Sequence, residues 1–525
     1  GADRHARRNR WLLTGGVVGL TLLVALLPVF QAVVLKMLPF DDKSEVQVVI
    51  DMPENTPMEE TLRVLLTMGE YLSTVDSVAN WQAYAGTSAP INFNGLVRQY
   101  YLRREPWQGD LQVNLVDERD EQSHDIASAL RAPLTAIGER FGAAVKIVEV
   151  PPGPPVLAPV VAEVYGPTQA AREKLARELA EDMSRIDGLV DIDTTITAPT
   201  ERWQVIVDRH RAATLGLTQS QVVDALALAL GERNVGYLRE PGAKYAVPIR
   251  VMLDEGAKAQ PAALLSLPVT TRDGQMVRIA DVAHIEPSSW PGIIQHKDLL
   301  PVIYVTADMA GRIDSPLYGM FAMAARLFDR DDAPTQYWIN APGWPGSPAL
   351  KWDGEWQITY ETFRDMGTAY AVGVFAIFLL LVAQFRAYLI PLIVMAPIPL
   401  TLIGILPGHA LLGHEFTATS MIGMIALAGI IVRNSILLVV FIRQLLDEGV
   451  TLDNAVIKAA AVRLKPIALT AVSAMVGAAF ILPDPIFNGL AISLIFGLAI
   501  STLMTVMLVP LLYYVFIGER RVRTG

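Results

Sequence analysis

Apolar residues gather in long, nearly unbroken runs at the start of the chain and in its last third, whereas the middle mixes apolar and polar positions like a globular sequence. A helix needs about 20 apolar residues in a row to cross a bilayer. Six runs approach or exceed that length, at about 11–34, 366–383, 389–412, 417–441, 466–482 and 490–516. The spacing predicts a membrane α-helical protein with six transmembrane helices, one before and five after a large insertion at about 36–361. Arg4, Arg7, Arg8 and Arg10 precede the first run. Basic residues there also suit a signal peptide, but no small-residue cleavage site separates the run from the strand that follows.

Inside the insertion the period changes. A strand at 46–51 leads to Thr56-Pro57-Met58-Glu59, which has the form of a helix start with a capping box. Leu62, Leu65, Leu66 and Leu72 then give an apolar helix face, and 78–84 reads as a strand. The same order recurs as strand 111–116, helix 126–141 and strand 145–150. Pro151-Pro152-Gly153-Pro154-Pro155 is a linker. A third unit follows (strand 160–165, helix 169–186, strand 189–196), and a fourth lies at 302–307, 320–328 and 337–339. Repeated β-α-β modules predict split-βαβ subdomains, an α+β region. Between the third and fourth units, 200–288 has a strand at 203–207 and a helix opened by Thr218 and Gln221. A long excursion from Gly231 to Pro241 and short strands complete it. The domain plan is therefore a helix at 1–35, a subdomain at 36–150, a second at 156–200 and 289–345, an inserted subdomain at 201–288, and a five-helix bundle at 360–518.

Charge orients this plan. Arg386, Arg443, Lys458, Arg463, Lys465, Arg520, Arg521 and Arg523 fall between alternate spans or at the end of the chain. With the basic N-terminus, they place both termini in the cytoplasm and the insertion on the far side. The net charge of −10 is concentrated in the insertion, and there is no Cys, which excludes disulfides and thiolate sites.

One residue breaks the apolar pattern. In GIIVRNSILLVVF (429–441), Arg433 lies eight residues before Phe441, roughly 12 Å along a helix. A charge at that depth costs about 2.5–3.5 kcal/mol on insertion scales. It either snorkels or is paired, yet no Asp or Glu lies in any of the six runs. A partner carboxylate would have to come from another segment.

MIGMIALAGIIVRNSILLVVF (421–441) followed by AVRLKPIALTAV (461–472) resembles the tenth and eleventh spans of resistance-nodulation-division (RND) efflux permeases. LLVAQFRAYLIPLIVMAPIPLTLIG (380–404) resembles the eighth and ninth, and VIVDRHRAATLGLTQSQVVDAL (205–226) the entry to the docking domain. The resemblance, ordered along nearly the whole chain, points to the C-terminal half and to the multidrug branch. It implies proton-driven efflux rather than catalysis, with no cofactor. It also implies an inner-membrane homotrimer, an N-terminal half carrying the relay carboxylates, a periplasmic adaptor protein and an outer-membrane channel. By position Arg433 and Thr470 stand in the proton relay, with Asn434 beside them. Arg is a departure from the usual Lys. Guanidinium does not give up its proton, so Arg433 would serve as a fixed counter-charge.

Further candidates are Phe93, Tyr100, Tyr101 and Trp107, in a Gly- and aromatic-rich stretch (83–107) that falls where the family has a substrate-gating loop. They could line a cleft for amphiphiles. Met52, Met58, Met68 and Met183 raise the alternative of soft-metal export, but Met commonly fills cores. His409 and His414 flank a turn, too few ligands for a metal site. A Sec-type accessory subunit shares the 1+5 plan, and an inert scaffolding half is a third alternative. The composition suggests a lipid bilayer as the surrounding medium and no nucleic-acid partner.

Overall fold

The computed structural model describes residues 15–524 except positions 91, 151, 152, 154, 232, 291 and 312. Arg4, Arg7, Arg8, Arg10, the start of the first apolar run and three of the linker prolines lie outside the described residues.

Five helices are long and apolar enough to cross a membrane: Glu355–Phe385, Leu389–Leu412, Ala418–Asp447, Leu452–Ala479 and Asn488–Ile517. The first run differs from expectation. It is helical over Gly15–Ala25 and then turns, so it does not continue as helix to residue 34. Pro28 has no N–H to extend the helical ladder and disfavours helix in the residue before it. Beyond it the chain turns and then bridges Phe416 at Leu35. The Leu389–Leu412 span is itself jointed, into Leu389–Met395, Pro397–Leu400 and Leu402–Leu412, because Pro397 and Pro399 remove two ladder donors. The bundle core includes Val394, Ile405, Leu427, Leu438, Val439 and Ile442, all nearly inaccessible.

The first sheet subdomain has the strand order Val78–Ala85, Gln108–Leu115, Glu45–Asp51, Ala144–Val148, all antiparallel. Each β-α-β unit is split by a strand of the other, as the repeat predicted. Helices Met58–Leu72 and Ser123–Glu139 pack on the sheet and on each other. The capping box expected at Thr56 and Glu59 does not form. Pro57 occupies the cap position without a side-chain bond, and the Thr56 hydroxyl donates instead to the Pro53 carbonyl.

The second sheet centres on Val160–Tyr165, flanked by Leu300–Met309 and Ala349–Gly354. The last of these strands lies beyond the expected boundary at 345. Its polar reading, ALKWDG, hid a strand whose Leu350 and Trp352 are wholly buried. It also separates the two strands of the fourth expected unit, since Thr335–Tyr337 pairs with it in parallel.

Glu163 lies fully buried in this sheet. It takes hydrogen bonds from Lys297 and from the Tyr165 hydroxyl (2.7 Å), with Lys351 at 3.8 Å. Lys297 also meets Asp353 at 2.6 Å. Burial raises the Glu163 pKa. It opposes ionisation of Asp353 too, but hydrogen bonds from Glu163 and Lys297 hold that carboxyl at about 2. The Asp353 contribution to stability is thus present above the ordinary value of 3.8 and lost as pH falls through about 2. Replacing Lys297 with Met should strip the cluster of one cation and cost about 3 kcal/mol. The check is the thermal midpoint at neutral pH, with recovery in Lys297→Arg.

The second compact unit is Ile196–Ile293. Thr200–Val207 pairs antiparallel with Ala283–Trp290. The expected capping box opens helix Gln219–Leu230, whose Val222 and Leu226 pack on Ile279 and Val282. The segment expected as an excursion is a hairpin, Arg233–Leu238 against Val247–Val251. Its side chains are largely exposed, so burial gave the sequence no alternation to show.

Candidate functional site

Helix Ala418–Asp447 begins at Thr417, whose amide donates to the Ser420 hydroxyl (3.1 Å). Two faces follow from its sequence. Leu427, Ala428, Ile431, Asn434, Ser435, Leu438 and Val439 are buried in the bundle. Ile422, Ile425, Gly429, Arg433, Leu437 and Val440 form an exposed stripe at helical spacing. Arg433 therefore stands mid-stripe, on the surface of this chain. With Ile377, Gly429, Val432, Ile436 and Leu437 it lines a hollow of about 330 Å³. Among the described residues no hydrogen bond or ion pair to Arg433 is found. Every other residue of the hollow is apolar, which gives a guanidinium nothing to pair with there.

The other two relay candidates do not meet it through a hydrogen bond. Asn434 is turned into the bundle interior and only 5% exposed. Thr470 lies on Leu452–Ala479, and its hydroxyl bonds back to the Pro466 and Ile467 carbonyls of its own helix (3.1 and 2.9 Å). Sequence reasoning passed over Ser435 and Ser493, whose hydroxyls are buried without a partner among the described residues. Small polar residues in apolar runs were the available signal.

His409 does not simply flank a turn. It is fully buried, with Nδ1 at 2.9 Å from the Ile405 carbonyl and Nε2 at 2.9 Å from the Ser420 hydroxyl. A carbonyl only accepts, so Nδ1 carries the proton and Nε2 accepts from Ser420. His414 bonds separately with Asn488 (3.3 Å). No group of three His, Cys, Asp or Glu arranged for a metal occurs among the described residues.

The four aromatic candidates do not share one cleft. Phe93, in the short helix Phe93–Val97, lines a cleft of about 480 Å³ with Leu38, Pro39, Val150 and Ile486. Tyr101 is exposed, and Trp107 packs on the core of the first sheet. Tyr100 faces arginines instead. Arg103 lies 5.8 Å from its ring centre, and Arg98 is beside its hydroxyl. Arg103, which the sequence did not single out, ties the loop down. It is buried and donates to Asp51 (2.9 Å) and to the Ile50 carbonyl (2.6 Å). Burial opposes the Asp51 charge, but Arg103 and Lys146 outweigh it and hold the pKa below the carboxylate norm. Met52, Met68 and Met183 are buried in the sheet cores, and Met58 is exposed.

A bundle of apolar helices, one bearing a guanidinium in the middle of its apolar run, joined to repeated split-βαβ subdomains defines a multi-pass membrane protein. Residues 7–517 match the AcrB/AcrD/AcrF family, and the chain belongs to that family of RND permeases, whose members are inner-membrane transporters. It is 27% identical over 370 residues to the swarming motility protein SwrC of Bacillus subtilis, covering 69% of this chain and 34% of that one. It is likewise 27% identical over 367 residues to the cobalt-zinc-cadmium resistance protein CzcA of Cupriavidus metallidurans (67% and 33%). To the multidrug resistance protein MdtC of Erwinia amylovora it is 25% identical over 335 residues (62% and 31%). The fold matches a crystal structure of a heavy metal efflux pump with a TM-score of 0.76 at 18% identity, over 98% of this chain and 52% of that one. The chain thus spans about a third of each curated relative it matches. Neither the family nor these relatives is a Sec accessory subunit.

Proposed function

We propose that this chain is the C-terminal half of a proton-motive-force-driven permease that exports amphiphilic or hydrophobic compounds across the cell envelope. The observation that carries the reading is Arg433, set without a hydrogen-bonding or ionic partner among the described residues on an exposed apolar stripe of the bundle. An unpaired charge in hydrocarbon is costly, so the stripe is where an N-terminal half with a carboxylate docks. An ionised carboxylate holds Arg433, and protonation from the periplasm releases it. Arg433 keeps its own proton throughout. Thr470 offers a hydroxyl once its bond to its own helix is given up, and Asn434 supports the relay helix from within. The sheet subdomains act as porter modules in the periplasm, with both chain termini cytoplasmic and Ile196–Ile293 as docking unit. Phe93 and the exposed Tyr101 contact substrate, while Tyr100 and Trp107 hold the stretch that carries them. The assembly is a homotrimer with a periplasmic adaptor and an outer-membrane channel.

A second reading, export of divalent metal, is favoured by the kinship to CzcA. Against it stand Met52, Met68 and Met183, which are spent on core packing. Proteoliposomes holding the whole permease separate the two. Under an imposed pH gradient, a lipophilic cationic dye should speed proton flux by about tenfold (1.4 kcal/mol), and zinc or cobalt should not. Acceleration by metal alone would overturn the substrate class, and no acceleration by either would overturn the coupling.

A further inference from the structure

The seam between the two sheet subdomains is crossed by charge pairs of one polarity. From the first subdomain come Lys146, Arg131, Arg98 and His124; from the second come their partners Asp193, Asp191, Asp308 and Asp314. Three of the four cations are permanent at any physiological pH. The fourth, His124, is not.

Its surroundings are specific. Nδ1 lies 2.9 Å from Glu149 Oε2, and Nε2 lies 3.4 Å from Asp314 Oδ2. The ring stacks on Phe40 at 4.3 Å. Asp314 also holds Lys36 Nζ at 2.6 Å, and that ammonium sits 4.1 Å from the centre of the Phe40 ring. Asp308 adds its charge beside Glu149 and Asp314, and Glu355 lies near Asp314 and Lys36. Lys36 is 2% exposed and belongs to the segment that follows the apolar helix Gly15–Ala25. That segment is strapped on both sides. The Lys36 amide donates to the Phe416 carbonyl, and the Ala418 amide to Met37, at the start of the Arg433 helix. Ser315 donates to the Leu35 carbonyl (2.7 Å), and Tyr318 to that of Pro28 (3.1 Å). Asp314 is thus the point at which both sheet subdomains and the membrane segment converge.

We propose that His124 is a pH-operated latch. Protonated, it bridges Glu149 to Asp314 and locks the two sheet subdomains to each other and to the membrane segment at Lys36. A neutral imidazole has one N–H; the shorter contact, Nδ1 to Glu149 at 2.9 Å, retains it, and Nε2 is left with no proton to offer Asp314 at 3.4 Å, so the seam loses this tie on deprotonation. The shifts agree with the geometry. Burial disfavours the imidazolium, but Glu149 and Asp314 outweigh it and raise the His124 pKa above 6.5. The contribution of His124 is therefore complete below 6.5 and lost as pH rises through the raised value. Burial also raises Glu149 and Asp314, so at stronger acidity the latch loses its acceptors. It holds below the raised His124 value and above the values at which its two carboxylates take up protons.

The inference does not depend on the transport reading, because its readout is a distance. With no native Cys, Glu70→Cys and Lys174→Cys place spin labels on exposed sites of helices Met58–Leu72 and Gln169–Met183. Double electron–electron resonance on the whole permease should give a narrow distribution at about pH 6 and a broader or longer one at about pH 8.5, on either side of the His range. His124→Gln and Asp314→Asn should be broad at both. His124→Lys, permanently charged, should stay narrow at both and shows that the site tolerates substitution. A wild-type distribution unmoved by pH, or a pH response surviving in His124→Gln, would overturn the latch.

Discussion

Arg433→Ala is expected to lower export by more than tenfold while leaving the assembly of the permease unchanged. The side chain is exposed on this chain, so truncating it removes no packing from the core. On the proposed reading, what disappears is the counter-charge for a carboxylate of the N-terminal half. Leaving a buried charge without its partner costs several kcal/mol, and each 1.4 kcal/mol is tenfold in an equilibrium. That carboxylate would then hold its proton, and the cycle would stop in the protonated state. Arg433→Lys should retain much of the function, since Lys supplies a cation at the same position. Transport rate and elution volume in detergent, measured on the same preparations, separate this from a scaffold. An inert half would export equally well with Ala at 433.

The second large effect is structural. Gly404→Ala should destabilise the bundle by about 1–3 kcal/mol, the usual cost of overpacking. A Cβ at Gly404 would lie 2.4 Å from the Phe496 carbonyl oxygen and 2.8 Å from the Ile500 side chain. The first obstacle is backbone, which cannot rotate away. Without a hydrophobic drive between helices in lipid, close approach through small residues is what holds them together. The control is Gly373→Ala, where no atom lies within 4 Å of the added Cβ. Fluorescence-detected size exclusion after heating should show a lower midpoint for Gly404→Ala and none for Gly373→Ala.

Much of the architecture was legible because its causes are local. Runs near 20 apolar residues announce membrane helices through the thickness of hydrocarbon alone. The repeated β-α-β pattern announced the split sheet, since apolar residues must recur at the sheet and helix periods to reach a core. The Thr218–Gln221 capping box formed as read because it involves only one helical turn. Misreadings had both local and distant causes. Thr56 gave its hydroxyl to Pro53, three residues back, instead of capping. Ala349–Gly354 became a central strand although its alternation, Leu350-Lys351-Trp352-Asp353, covers only four residues, because Val160–Tyr165 offered it a partner.

The candidate site divides in the same way. That Arg433 is a costly charge in an apolar run, with no acid in any other run to answer it, follows from the sequence by itself, because desolvation depends on residue type and depth. Which way it points does not. Only the packed bundle turned Asn434 inward and Arg433 outward, since burial of Leu427, Ile431, Leu438 and Val439 fixes the rotation of the helix. The seam charges are likewise a product of folding. Lys146 and Asp193, or His124 and Asp314, are far apart in the chain, and nothing in their local sequence marks them. Two sheets had to form and meet before those cations faced those acids, because ion pairing across a seam acts over a few ångströms of space and is indifferent to distance along the chain.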